Sequence, residues 1–230
     1  MQHAANQSTS PPTFMLTPAD ITVRHLSTFP HGGAAMAAQR LHTGLKRYGL
    51  NSQFVYHLDE ADDAAADRED FQSLTFDKQG HLTDDEGKKL DWLSFRLARL
   101  KEKRIHGLFH RHLTNRPDGF ETYAMAQLPY PTPFSQVDQW QANDIVHLHW
   151  ISFFLDYPSF FGSIPDHVPI VWTLHDTNAF TGGCHFVSGC DNFLSGCGSC
   201  PQIQKPKAKD VSYHSFLAKQ KALRLSLIHI

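Results

Sequence analysis

The period of the apolar positions changes along the chain, and each change marks an element. ITVRHLS (residues 21–27) opens with β-branched residues and reads as a strand, FPHGG as a glycine turn, and AAMAAQRLHTGLKRYGL as a helix built from strong helix formers. On that helix Ala35, Ala38, Leu41, Leu45 and Tyr48 recur at spacings of three and four, Arg40, Lys46 and Arg47 fall elsewhere, and Gly49 suits the C-terminal cap. SQFVYH (52–57) supplies a second strand and completes a βαβ unit with the expected right-handed crossover. Farther on, DIVHLHW (144–150), a short helical stretch over ISFFLDYPSFFGSI and the strand PIVWTLHD (169–176) resume the alternation. Both later strands are apolar at adjacent as well as alternate positions, as expected where helices cover both faces of a parallel sheet. The predicted fold class is α/β: a Rossmann-like parallel sheet with an inserted helical region and a cysteine-rich loop.

The flanks and the middle break this pattern. Residues 1–19 are polar and carry Pro11, Pro12 and Pro18, so they read as a mobile tail ahead of one domain spanning 20–230. An insertion is expected at about 58–137. It begins with Asp59, Glu60, Asp62, Asp63, Asp67, Glu69 and Asp70, a solvated acidic stretch, and continues into KKLDWLSFRLARLKEKRIHGLFHRHL. There Leu90, Leu93, Leu97 and Leu100 lie near helical spacing, with Arg96, Arg99, Lys101, Lys103 and Arg104 adding a basic side. The favoured reading is a helix packed on the domain with its charges in water. The lesser one is peripheral contact of residues 88–116 with an anionic membrane surface or a lipid-linked substrate. Past the cysteines a helical pattern begins and stops unfinished at the last residue.

Composition narrows the classes. The 230 residues, 41% hydrophobic, suffice for one ordinary core. A net charge of -2 and a pI near 6.7 give no reason to expect nucleic acid, so an anionic ligand must be met by a local arrangement of donors. No apolar run reaches the roughly 18 residues needed to span a bilayer. The N-terminus has neither the basic start nor the apolar core of a signal peptide, and a cytoplasmic location is expected.

In an open parallel sheet, ligands bind beyond the carboxyl ends of the strands. After the first strand come Gly32 and Gly33, which permit close backbone approach, and then a helix N-terminus with N–H groups available to an anion. Alone, the pair lacks the full G-x-G-x-x-G spacing and says only that the turn is tight. His147 and His149 share one face of a strand, where a buried histidine bonded to a carbonyl is the more frequent outcome; with Trp150 they are assigned to the pocket wall. His175 and Asp176 at a strand end are the strongest signal, because imidazole there can donate to a hydroxyl or stabilise developing charge. Cys184, Cys190, Cys197 and Cys200 are spaced C-x5-C-x6-C-x2-C among glycines, and four thiolates suit a tetrahedral, structural zinc. An iron–sulfur cluster fits these spacings poorly, a redox dithiol at CGSC is weaker again, and four unlinked thiols are a poor account of so tight a cluster.

HGGAAMAAQRLHTGLKRYGLNSQFVYH, DIVHLHWI, PIVWTLHDTNAFTGGCHFVSGC and GCGSCPQ resemble segments of bacterial family 4 glycosyltransferases of exopolysaccharide and colanic-acid type. The likeness covers about residues 21–203 and is most specific from Asp144 onward. It implies a GT-B enzyme of two Rossmann-like domains facing across a cleft. Such an enzyme moves a sugar from a nucleotide-sugar donor to a glycan or lipid-linked acceptor with retention, and needs no metal for the chemistry. By motif it places Gly32 and Gly33 in the loop facing donor phosphates and acceptor, and makes His175 the histidine near the donor sugar, with Asp176 in the same motif. That family's second domain carries a Lys or Arg facing the diphosphate and two glutamates seven residues apart. Nothing after Gln202 resembles it. The expectation is therefore an N-terminal, acceptor-side domain without its donor-binding partner; whether LRLSLIHI (223–230) is native sequence stays an open question at this point. The rival expectation is a zinc-stabilised binding module without catalysis, docking through the basic helix.

Overall fold

A computed structural model of the chain describes residues 16–57, 71–76, 82–83, 113, 123–128, 132 and 140–224. Apart from Leu113, the basic helix expected at 88–116, with its membrane alternative, lies outside the described residues, as do the acidic stretch after Leu58 and residues 225–230. The tail expected through residue 19 acquires structure before that point. Pro18–Asp20 form a 3-10 turn, with the Asp20 carboxylate accepting from the Thr17 N–H at 2.8 Å and its hydroxyl at 2.7 Å.

The opening βαβ unit is present as β1 (Thr22–Ser27), α1 (Gly32–Arg47) and β2 (Asn51–His57). Gly49 takes φ +86°, and its N–H bonds back to Lys46 O at 3.0 Å, ending the helix as its sequence suggested. The buried side of α1 differs from the expected stripe. Ala35, Ala38 and His42 are buried, whereas Leu41 and Tyr48 are exposed. Two alanines let the helix lie close on the sheet, and the imidazole of His42 fills the third position by bonding Ser52 Oγ at 2.7 Å.

The sheet is wider than the sequence suggested. β3 (Phe71–Phe76) pairs parallel with β2, and a short β4 (Leu82–Thr83) pairs antiparallel with β3, although both fall where an insertion was expected. On the other side of β1 lie β5 (Asp144–Leu148) and then β6 (Ile170–Trp172), both parallel, giving the order β4-β3-β2-β1-β5-β6. The helix after β5 is shorter than expected. α2 covers Tyr157–Ser163, with Pro158 in its first turn and Asp156 as cap, accepting from Ser159 N at 3.0 Å. β6 stops at Trp172 because its neighbour β5 ends at Leu148, and Thr173 N takes the last available carbonyl, Leu148 O at 2.9 Å. His175 and Asp176 thus sit in a bend past the strand.

Alternation along the strands divides the core between two faces. Leu26, Val55, Val146 and Leu148 face α2 and the closing helix α3 (Val211–Arg224), packing with Phe160, Phe161, Ile164 and Ala222. Phe54 and Tyr56 face α1 through Ala35 and Ala38. A small third cluster, Leu113, Tyr123, Cys200 and Ile203, lies under the cysteine loop. These contacts establish the α/β, Rossmann-like class.

Candidate functional site

The strand order reverses between β1 and β5, since the chain first builds outward through β2 and β3 and later fills the opposite side. At such a switch point a crevice opens beyond the carboxyl ends of the strands. Thr28 ties its two walls together, donating its N–H to Trp150 O at 2.7 Å and its hydroxyl to Ser152 O at 2.8 Å. Gly32 begins α1 at φ +86°, and a Cβ on Gly32 or Gly33 would meet nothing within 4 Å. The N-terminal turn of a 16-residue helix therefore faces open space and can receive an anion at close range. Beside it the Phe29 ring stacks between His31 and Trp150, with centroids 5.4 and 5.5 Å away. Phe153, held at φ 64° without being glycine, turns its ring edge to Trp150.

Four histidines stand on or beside the α1 face of β1 and β5. His25 pairs in register with His147, and the His147 and His149 rings stack at 4.4 Å. His25 Nδ1 lies 3.2 Å from His149 Nε2, and His149 Nδ1 lies 3.1 Å from His175 Nε2. His147 Nε2 bonds Thr173 Oγ1 at 2.8 Å. Burial, reinforced by the neighbouring imidazoles, drives His25 down to about 3 and His149 to about 2, and burial also lowers His147. These side chains are neutral at physiological pH. His25, His147 and His149 also offer ring nitrogens within 4.8 Å of one another, among the described residues the one trio close enough to hold a metal ion. His175 is exposed and is shifted down by burial, against an opposing pull from Asp176.

Asp176 is a hub. Its Oδ2 accepts from His185 Nδ1 at 2.5 Å and Trp150 Nε1 at 2.8 Å, and its Oδ1 accepts from the Asn178 N–H at 2.8 Å. Burial pushes the carboxyl up, but the bonds from His185, Asn178 and Trp150 outweigh it and keep the group below the usual carboxylate range. Asn178 is itself anchored. Its amide donates to Ala124 O at 3.0 Å and Gly183 O at 2.8 Å, while the fully buried Lys219 of α3 donates to Asn178 O at 2.6 Å and Oδ1 at 2.9 Å. Burial brings the Lys219 ammonium down to about 7, against the pull of Asp176 and the sulfurs of Cys184 and Cys197.

Cys184, Cys190, Cys197 and Cys200 line one cavity together with Val187 and Phe193. Gly182 N donates to Cys197 Sγ and Gln202 Nε2 to Cys184 Sγ, both at 3.1 Å. The Cys184 thiol bonds Cys200, which lowers Cys200 and raises Cys184. Four thiols around one cavity, with N–H donors behind two of them, are the donor set of a structural zinc, but among the described residues no three of the sulfurs lie within 4.8 Å of one another, wider than ligation at about 2.3 Å requires. The loop's glycines divide by role. A Cβ on Gly183 would lie 2.0 Å from the Tyr123 ring and one on Gly198 2.2 Å from Ala208 O, whereas Gly189 and Gly196 are required by φ of +80° and +108°.

One pocket is lined by His149, Trp150, His175 and Asp176, and the Phe29 ring links Trp150 to His31 beside Gly32 and Gly33, while the cysteines line a separate cavity. Sequence reading missed His25, Asn178, His185 and Lys219. His185 carried the only local signal, standing beside Cys184 in a loop otherwise poor in ionisable groups.

No protein-family model and no solved structure matches the chain. Among curated proteins, it is 25% identical over 197 residues to WcaC of Escherichia coli K12, whose description as a colanic acid biosynthesis glycosyl transferase is itself provisional. The match covers 84% of this chain and 42% of that protein, so the chain spans less than half the length of this relative.

Proposed function

We propose that this chain is the acceptor-side, Rossmann-like domain of a retaining GT-B glycosyltransferase of bacterial polysaccharide synthesis. The assembled enzyme would move a sugar from a nucleotide-sugar donor to a glycan or lipid-linked acceptor. The observation that carries the reading is the convergence, at the switch point of a parallel sheet, of an open helix N-terminus at Gly32 and Gly33 with an exposed imidazole at His175. The likeness to the E. coli protein points the same way. In this reading the α1 N-terminus meets phosphate or acceptor oxygens, while the His175 ring reaches the donor sugar as charge develops on it. Asp176 has its oxygens committed to His185, Trp150 and Asn178, so its task is to hold the bend that presents His175. Chemistry needs no metal here. A zinc ion on the four cysteines would order the loop that follows and perform no step of the reaction.

The test is transfer of a radiolabelled sugar from nucleotide-sugar donors to polyprenyl-linked acceptors by the enzyme that carries this domain. His175→Ala should lower turnover by at least about 100-fold with the melting temperature nearly unchanged. Retained turnover with a large loss of stability would make His175 a core residue, and no transfer from any donor would leave a binding module.

A further inference from the structure

The distances between His25, His149 and His175 carry more than a pocket wall. Each of the two contacts joins Nδ1 of one ring to Nε2 of the next, at 3.2 and 3.1 Å, and a hydrogen bond between two neutral imidazoles requires one proton between them. A neutral imidazole has a single N–H. Whichever nitrogen holds the proton on one ring therefore decides the tautomer of all three. The buried end settles the direction. His25 Nε2 is buried without a partner among the described residues. A bare lone pair there is tolerable, while an unpaired buried N–H is the rarer and costlier outcome. The His25 proton accordingly sits on Nδ1 and is donated to His149 Nε2; His149 must then carry its own proton on Nδ1 and donate it to His175 Nε2.

We propose that His25 and His149 are positioning residues that fix His175 as the Nδ1–H tautomer, so that His175 meets its ligand as a hydrogen-bond donor to an oxygen atom and not as a base. His175 Nδ1 has no partner among the described residues, and the residue is exposed, so this N–H is available. Its Nε2 lone pair is consumed by His149 and cannot abstract a proton from a substrate. Protonating His175 would place two N–H groups face to face, and relieving that would force the whole chain to invert, ending in the unpaired N–H at His25. The proposal rests on the glycosyl-transfer reading only for the identity of the oxygen, a sugar hydroxyl or phosphate oxygen. The same tautomer would be set in a chain that transferred nothing.

Long-range ¹H–¹⁵N correlation spectra of the 15N-histidine-labelled 230-residue chain near pH 7.5 test this without any activity. We expect His25, His149 and His175 each to show a protonated Nδ1 and a bare Nε2. In His149→Phe the His175 signals should move to the averaged shifts of a freely exchanging ring, with Nε2–H populated. In His25→Leu, a second variant should the first not fold, His149 should lose the downfield Nδ1–H resonance that marks its bond to His175, or show it broadened. An Nε2-protonated His175 in the unaltered chain overturns the proposal, as does a His149→Phe protein whose His175 tautomer is unchanged. Zinc added to the chelator-treated chain is the third arm. A shift of His149 Nε2 at stoichiometric zinc would make the trio a metal site and end the relay, and no shift leaves the relay standing. A glycosyl-transfer assay that failed while the tautomers were as expected would sink the functional reading alone.

Discussion

At Asp176, three donors meet two oxygens in a contact largely shielded from water, and replacing the carboxylate by an amide sets one N–H against another. Asp176→Asn should destabilise the fold by about 2 kcal/mol, the range for hydrogen bonds to a charged group, and lower Tm by several degrees. The carboxyl is held below its ordinary value near 3.8. Its contribution is therefore complete above that value and vanishes as pH falls through the lower folded one, so the difference between the two proteins should shrink toward zero in acid. Urea unfolding at neutral and acidic pH measures this. Equal stability at pH 7 together with lost turnover would instead make Asp176 a reacting group. His175 and Asp176 were visible in the sequence because an adjacent His-Asp pair after an apolar strand has little structural reason to exist. The groups that hold them were not. Asn178, His185 and Lys219 are polar residues in polar-looking segments, and only the return of α3 over the bend shows that Lys219 is buried against Asn178 O.

Elements place these residues through close approaches that side chains would prevent. At Gly183 a Cβ would fall inside the ring of Tyr123, whose neighbour Ala124 bonds Gly183 O at 3.0 Å. Gly183→Ala should thus cost about 1–3 kcal/mol by overpacking. Gly33 lies in the helical first turn of α1 with open space around it, so Gly33→Ala should leave Tm unchanged or slightly raised. In the assembled enzyme the same substitution should raise KM for the anionic substrate, because the added methyl enters the crevice. Thermal melts of the two variants separate a packing glycine from a ligand-facing one, and equal losses would contradict the division. Cys197→Ser should lower zinc content from about one per chain toward none and make 181–203 sensitive to limited proteolysis. Thiolate–zinc bonds supply on the order of 10 kcal/mol, while this loop buries little apolar surface. Metal-free protein with four freely reactive thiols would dispose of the clamp. The helix and strand periods announced β1, α1, β2 and β5 correctly, because each buries a face long enough to impose its period. They failed where tertiary pairing decided. β3 has sequence neighbours that dilute its signal, β6 is cut short by the end of β5, and α1 buries His42 in place of Leu41 because Ser52 supplies its partner.

At the scale of the molecule, strand order creates the site, and order is what the periods could not show; reversal between β1 and β5 depends on where β3 and β6 dock. That arrangement also stacks neutral histidines inside the sheet, with consequences for the whole fold. His25 and His149 are held at about 3 and about 2, far below the ordinary value of 6.5. The unfolded chain takes up protons at these positions as pH falls below about 6.5, and the folded chain refuses them until pH approaches 3. The contribution of these two histidines is therefore full above 6.5 and declines through the acid range, each removing up to about 1.4 kcal/mol per pH unit. By pH 5 the pair accounts for roughly 4 kcal/mol, a large share of the 5–15 kcal/mol typical of a domain. Urea midpoints measured from pH 7.5 to 5 should consequently fall steeply. His149→Phe removes one of the two groups and should make the decline about half as steep, whatever its effect at pH 7.5. Parallel curves for the two proteins would mean that His149 accepts a proton in the folded state, and that the imidazole stack is not the apolar, neutral layer its geometry describes.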